Sequence, residues 1–274
     1  MNILVPLTLQ EALATATFHT NYHFLAGGSD IILRQKKENT LSGMIWLGKI
    51  EELQTITYTE ESIRIGSMLT LTSLREEPTL MTLFPLLSQA IAVFGSHQIR
   101  STATMGGNIA NASAAADLLP VLMVLGASIE ITSPSERRYM RIEELIKSYR
   151  NTVLEPNEII TAIHLPKKQW DHHYYRKIGR RSTLNISIAS LAAVGQKRED
   201  RGWNVHLSGA SLAPNPRRMV QTEALFREPA TPKRETVLEA LRHDIDPRSG
   251  MRGSREYRLE VTANMVMEFA DALD

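Results

Sequence analysis

The chain has 274 residues with 43% apolar and 22% charged side chains, the proportions of a globular protein that can bury a core in one large domain or two ordinary ones. It has no cysteine, which excludes disulfides, thiolate nucleophiles and cysteine-held zinc or iron–sulfur centres in this chain. The net charge of +1 gives no bias toward nucleic acid, no apolar run approaches a membrane span, and the N-terminus MNILVPLTLQEAL lacks a signal-peptide pattern, so a cytoplasmic protein is expected.

Thr8-Leu9-Gln10-Glu11 has the capping-box pattern and predicts a short helix through Ala16. Phe24-Leu25-Ala26 reads as a brief buried strand running into Gly27-Gly28-Ser29-Asp30 and then IILRQKK. This is strand, glycine turn, helix, with Ser29 or Asp30 as cap and Lys36 and Lys37 at the negative pole. Such a turn offers N–H groups and a helix N-terminus to an anion such as a phosphate. The GxGxxG fingerprint of an ordinary dinucleotide turn is absent. The charge of Asp30 opposes a phosphate, so Asp30 must cap the helix or face away. Met44 to Leu47 and Ser62 to Ile65 are strands, the second with Ile63 and Ile65 inward and Arg64 outward. Leu83 to Phe94 is a helix stopped by Gly95, with Leu86, Leu87, Ala90, Ile91 and Phe94 on its apolar side.

The stretch from Ile99 to Gly126 organises the chain. A polar lead-in ends at Thr104, a tight Gly106-Gly107-Asn108 turn follows, and then a run of small residues from Ala110 to Ala116. An apolar helix, Leu118 to Leu125, begins after Asp117, which can cap it, and Pro120 is tolerated in its first turn. Paired glycines can take positive φ and let backbone approach a phosphate or a flat ring. A Gly-Gly turn packed on small side chains with no ligand fits the same residues.

Downstream, Ser128 to Thr132 is a strand, 133–136 a turn, Ile142 to Ser148 a short helix and Glu158 to Leu165 a strand ended by Pro166. Composition shifts at Pro166-Lys167-Lys168-Gln169, dividing the chain into domains 1–166 and 170–274. His172 to Ile178, Asn185 to Gln196 and Trp203 to Ala213 read as antiparallel strands. Adjacent His172 and His173 point to opposite faces, and no histidine spacing suggests a metal. Thr231-Pro232 starts a helix through His243, and Ser254 to Leu273 is a second.

FLAGGSDIILRQK resembles the first flavin-binding loop of the FAD subunits of molybdenum hydroxylases, the middle subunits of xanthine dehydrogenase and carbon monoxide dehydrogenase-like enzymes. IRSTATMGGNIANASAAADLLPVLMVLGA is similar to their second loop, YRKIGRRSTLNISIASLAA to the start of their C-terminal domain, and DPRSGMRGSREYRLEVTANMV to their C-terminal tyrosine-arginine helix. The resemblance implies an α+β fold. Its N-terminal FAD-binding domain has two subdomains of the vanillyl-alcohol-oxidase (PCMH) type, and a three-stranded antiparallel sheet with a helical bundle follows. It implies FAD between the two subdomains, touched by Phe24, Leu25, Ala26, Gly27, Gly28, Ser29, Asp30 and Ile31, with the N–H groups of Ala26 to Asp30 on its pyrophosphate. Thr104, Gly107, Asn108 and Asp117 match flavin-contacting positions, and their hydroxyl, amide and carboxylate suit pyrophosphate or ribitol oxygens. A cap remains open for Asp117, and for Phe94 a place in the core or beside the flavin. Lys177, or Arg176 in a shifted alignment, matches a basic residue that could stabilise an anionic flavin.

The sequence departs from the pattern at Arg100-Ser101, where relatives often have Arg-Asn, and at Asn185, where many have Asp. The lack of cysteine excludes the branch with an extra 4Fe–4S cluster. The resemblance implies an electron-transfer subunit, with molybdopterin on a large partner, two 2Fe–2S clusters on a small partner, and NAD, oxygen or another acceptor. Alternatives from other classes are a stand-alone flavin oxidoreductase and a flavin-free scaffold.

Overall fold

The computed structural model describes residues 2–38, 42–181 and 186–273. β1 (Asn2–Leu4), β2 (Tyr22–Leu25) and β3 (Gly43–Trp46) form a small parallel sheet with β3 in the middle. Parallel neighbours need crossovers, and α1 (Leu9–Phe18) and α2 (Ile31–Glu38) supply them. The capping box forms as its residues predict: Thr8 Oγ1 accepts from Glu11 N–H at 3.1 Å, and Glu11 accepts from Thr8 N–H at 3.3 Å. Leu9, Ala12, Leu13 and Ala16 then lie on one stripe of α1 and pack on Ile45 and Leu47.

A second, larger unit follows. Its chain order is β4 (Ile56–Tyr58), β5 (Ser62–Gly66), α3 (Leu71–Arg75), α4 (Pro78–Leu83), α5 (Pro85–Ala92), α6 (His97–Arg100), α7 (Met105–Ala110) and α8 (Leu118–Val124). Then come β6 (Ser128–Thr132), β7 (Arg137–Arg141), α9 (Ile142–Leu145), the pair β8 (Ile146–Ser148) and β9 (Asn151–Thr152), and β10 (Ile159–Pro166). Five strands make an antiparallel sheet in the order β4-β5-β10-β6-β7. Ile63, Ile65, Ile129, Ile131, Ile163 and Leu165 share one core with α5 and α8. The sheet also holds a polar group: Glu130, 1% exposed, accepts a two-pronged bond from Arg64 (2.8 and 3.2 Å) and pairs with His164 and Thr161.

Three expectations change here. The helix predicted over Leu83 to Phe94 forms only from Pro85 to Ala92, capped at Val93 rather than stopped by Gly95, because Phe84 ends the separate α4 and Pro85 opens α5 at its first position. Proline cannot donate into a continuing ladder. The helix predicted over Ile142 to Ser148 stops at Leu145, because Ile146 leaves to pair with Thr152 in a hairpin. Gly106, Gly107 and Asn108 are not a tight turn but part of α7, and neither glycine has positive φ.

β11 (His172–Ile178), β12 (Ala189–Lys197) and β13 (Trp203–Ser208) form an antiparallel sheet with β12 central. α10 (Val220–Ala224), α11 (Arg234–Asp244) and α12 (Arg255–Asp271) follow. Asn185, the expected strand start, lies outside the described residues. The third strand ends at Ser208 rather than Ala213. The chain passes so close to its neighbour at Gly209 that a Cβ there would lie 2.2 Å from the Ser190 carbonyl oxygen. β12 is buried on both faces: Ala192 and Val194 join the core around α8, while Ala189, Leu191 and Ala193 join a second core with α11 and α12. α8 is therefore wedged against both α5 and the C-terminal sheet, which is why every residue of it is buried. His206 on β13 bonds through Nδ1 to the Val124 carbonyl at 2.8 Å, tying that sheet to the end of α8.

Candidate cofactor site

The large cavity of the fold has a volume of about 1160 Å³ and lies where the small parallel sheet, the α6–α8 region and the C-terminal domain meet. That exceeds the roughly 300–1,000 Å³ of an ordinary small-molecule pocket. Both glycine stretches line it, and they touch each other. A Cβ on Gly27 would lie 1.6 Å from the Thr102 carbonyl oxygen, and one on Gly107 would lie 2.9 Å from Thr104 Oγ1 and 3.3 Å from Ala26 Cβ. Any side chain at Gly27 would push the two stretches apart.

In the first stretch the chain leaves β2 at Leu25, turns at Gly28 with φ +72° and enters α2. Only glycine takes that conformation without strain. Among the described residues, no backbone N–H from Gly27 to Ile31 has a protein acceptor. Such N–H groups must be satisfied by water or ligand, and together they make an anion cradle. Asp30 neither caps α2 nor turns away. Its carboxylate takes two bonds from Arg150, at 2.7 and 3.1 Å, across the cavity mouth. Arg150 sits in the β8–β9 turn with φ +56°. The pair cancels the charge that opposed an anion at this loop.

In the second stretch Thr104 caps α7, its Oγ1 accepting from Gly107 N–H at 3.0 Å. Gly106 is pressed onto Ser67, with its N–H on the Ser67 carbonyl at 2.9 Å, and a Cβ there would meet Ser67 Cβ at 2.6 Å. Here glycine serves close approach, not unusual torsion. Asn108 lines the cavity, and its buried Oδ1 has no hydrogen-bond partner. A buried orphan acceptor costs about 1–3 kcal/mol, and a ligand hydroxyl would satisfy it.

Asp117 occupies the position before α8 but makes no side-chain cap bond. Its carboxylate meets Lys177 Nζ at 2.6 Å, with the Tyr175 hydroxyl at 3.5 Å. The two charged side chains are only 8% and 5% exposed. Burial pushes the Asp117 carboxyl up, against the pull of the Lys177 charge and the hydrogen bonds from Lys177 and Tyr175.

Phe24, Ala26, Gly27, Gly28, Ser29, Asp30, Ile31, Thr104, Gly107, Asn108 and Asp117 all line the cavity. Leu25 is buried beneath it, and Lys177 stands behind Asp117 rather than in the wall. Arg176 points elsewhere and pairs with Glu268. Phe94 packs on the core and also lines the cavity. Sequence reasoning missed Arg150, since nothing local ties it to Asp30, 120 residues earlier. It also missed Arg248, Arg252 and Arg258, which line the cavity from the tyrosine-arginine motif; the motif was visible, its direction was not.

The free N–H donors of the glycine cradle, an orphan acceptor and a buried carboxylate fit a ligand carrying both a pyrophosphate and hydroxyls, and FAD carries both. The family model described as the FAD binding domain in molybdopterin dehydrogenase matches residues 1–168, and the one described as the CO dehydrogenase flavoprotein C-terminal domain matches residues 173–273. The chain belongs to this family of FAD-binding flavoprotein subunits of molybdopterin dehydrogenases, and FAD is its cofactor. It is 30% identical over 266 residues to the putative xanthine dehydrogenase FAD-binding subunit of Escherichia coli K12, covering 94% of this chain and 90% of that one. It is 26% identical over 268 residues to the carbon monoxide dehydrogenase medium chain of Afipia carboxidovorans, covering 95% and 92%. A subunit of carbon monoxide dehydrogenase from Hydrogenophaga pseudoflava shares the fold, with a TM-score of 0.93 at 23% identity over 100% of this chain and 96% of that chain. The protein is thus the flavoprotein component of an oxidoreductase. Among the described residues, no group of three or more His, Asp or Glu could hold a metal, and no helix is long and apolar enough to cross a membrane.

Proposed function

We propose that this chain is the electron-transfer subunit of a molybdenum hydroxylase. It would receive electrons from 2Fe–2S clusters on a small partner, with molybdopterin on a large partner, and pass them to NAD or another acceptor. The observation that carries the reading is the joint cavity, in which two glycine stretches are in contact and the first presents N–H groups without a protein acceptor beside the orphan Asn108 acceptor of the second. Bound FAD supplies the redox chemistry, and the protein supplies binding, orientation and electrostatics. The N–H groups from Ala26 to Asp30 hold the pyrophosphate. Thr104 Oγ1 already accepts from Gly107, so its hydroxyl proton is free to donate to the ligand. Asn108 and Asp117 accept from ligand hydroxyls. Lys177 acts through Asp117, keeping the carboxylate ionised and aimed.

The lack of cysteine supports clusters on another chain. The medium-chain and FAD-subunit names of the relatives support an assembly of three subunit types, and a cytoplasmic setting suits such an assembly. The two N-terminal sheets support the two-subdomain arrangement of PCMH type. The test is the absorption spectrum of the purified chain, followed by heat release and a pull-down. Flavin bands, free FAD in the supernatant, and iron and molybdenum in the captured complex are expected. A colourless chain that cannot be reconstituted would overturn the flavin role, and substrate hydroxylation by the isolated chain would overturn the division of labour.

A further inference from the structure

The charges of the cavity wall do not balance. Four acids among the described residues line it, and three of them are paired: Asp30 with Arg150, Asp117 with Lys177, and Glu158 with Arg138; Glu155 is the fourth, against the five lining arginines Arg34, Arg150, Arg248, Arg252 and Arg258. Among the described residues, Arg248, Arg252 and Arg258 line the same cavity with no carboxylate partner. All three come from the turn before α12 and its first helical turn.

Arg258 is the informative member. It is 8% exposed, and its Nη1 donates to the carbonyls of Ser211, at 3.0 Å, and of Ile188. Its buried Nε has no partner at all. Burial first, and then the charge of Arg252, disfavour its cationic form. A guanidinium nevertheless stays charged in a protein, so the cost remains until an anion offsets it. Arg248 and Arg252 are exposed where they line the same cavity, and the charge of Arg252 reaches Arg258.

We infer that Arg248, Arg252 and Arg258 form a phosphate-binding subsite on the C-terminal wall of the cavity, separate from the glycine cradle. A guanidinium binds two oxygens of one anion at once, and three arginines without carboxylate partners call for an anion of several charges, such as a polyphosphate, rather than a lone carboxylate. The phosphate has two possible sources, the FAD itself or a soluble nucleotide that exchanges electrons with it. The first source rests on the flavin role proposed above; the subsite does not.

The test is the double variant Arg248→Gln/Arg252→Gln, at two exposed positions where folding is tolerated and a melting curve checks it. FAD is titrated into the apo chain, and inorganic pyrophosphate and ADP into the apo and FAD-loaded chains, at low and high salt. The wild type should bind pyrophosphate more weakly at high salt. The double variant should lose about tenfold or more in one titration, the scale of a charge-assisted hydrogen bond. A loss with FAD assigns the subsite to the cofactor. Unchanged FAD binding with a loss for pyrophosphate and ADP assigns it to a soluble nucleotide. No loss in any titration would overturn the subsite. A wild-type chain that refuses FAD yet binds pyrophosphate in an arginine-dependent way would sink the flavin role alone.

Discussion

Replacing Lys177 with Met removes one half of the buried pair and leaves the other. The ammonium lies 2.6 Å from the Asp117 carboxylate, and neither side chain is more than 8% exposed. Breaking such a pair costs about 3–5 kcal/mol, because the remaining charge is uncompensated. Asp117 can avoid part of this by taking a proton. From an unfolded carboxyl value near 3.9, neutralisation at pH 7 costs about 4 kcal/mol at 1.36 kcal/mol per pH unit, which caps the loss. Burial already raises the Asp117 carboxyl in the wild type, and without the Lys177 charge the variant's folded value rises further above the unfolded one. The variant should therefore match the wild type near about pH 4 and fall behind it as pH rises, by up to about 4 kcal/mol at pH 7. The assay is urea denaturation of apo protein across that range, since bound cofactor would mask the difference. Asp117→Asn/Lys177→Met should be more stable than Lys177→Met alone, with a coupling of about 2 kcal/mol or more. A Lys177→Met cost below about 1 kcal/mol at every pH, or strict additivity in the double variant, would refute the reasoning.

Other positions give sharper, smaller tests. Gly27→Ala places a methyl 1.6 Å from the Thr102 carbonyl, a backbone clash that no rotamer relieves, so both FAD retention and thermal stability should fall; full flavin occupancy would contradict the contact. Gly107→Val should also lose FAD, as its branches enter the space between Thr104 and Ala26, and equilibrium dialysis would measure it. Burial alone would raise the Glu130 carboxyl, yet hydrogen bonds from Arg64, Thr161 and His164 hold it at about 2, below its ordinary 4.5. Its contribution is present above pH 4.5 and lost toward pH 2, at most about 3 kcal/mol, and Glu130→Gln should flatten that part of the acid denaturation curve. Burial also drops His206 from 6.5 to about 4, so the unfolded chain takes its proton first and stability falls over that window by about 2 kcal/mol, allowing for the ring's partial exposure. His206→Asn should remove that slope, read from melting temperatures at each pH.

Local chemistry was legible where a short segment decides its own state. The Thr8 and Glu11 capping box and the Ile63 and Ile65 alternation depend on neighbours within a few residues. The two glycine stretches were legible as points of close backbone approach for the same reason, although the second uses its glycines for close packing within a helix. The break at Phe84-Pro85 was also in the sequence, since proline at a helix start has a local cause.

What only the folded chain decided is who meets whom. Asp117 has a local role as helix cap and does not play it, because Lys177, 60 residues later, offers a charge where water has been excluded. Asp30 looked hostile to an anion until Arg150 arrived from the β8–β9 turn to cancel it. The alternation expected of a surface strand is absent in β12, because two separate cores claim its two faces. Hydrophobic period and capping are set within a few residues, but charge pairing and burial depend on distances between segments, and those exist only once the chain has closed on itself.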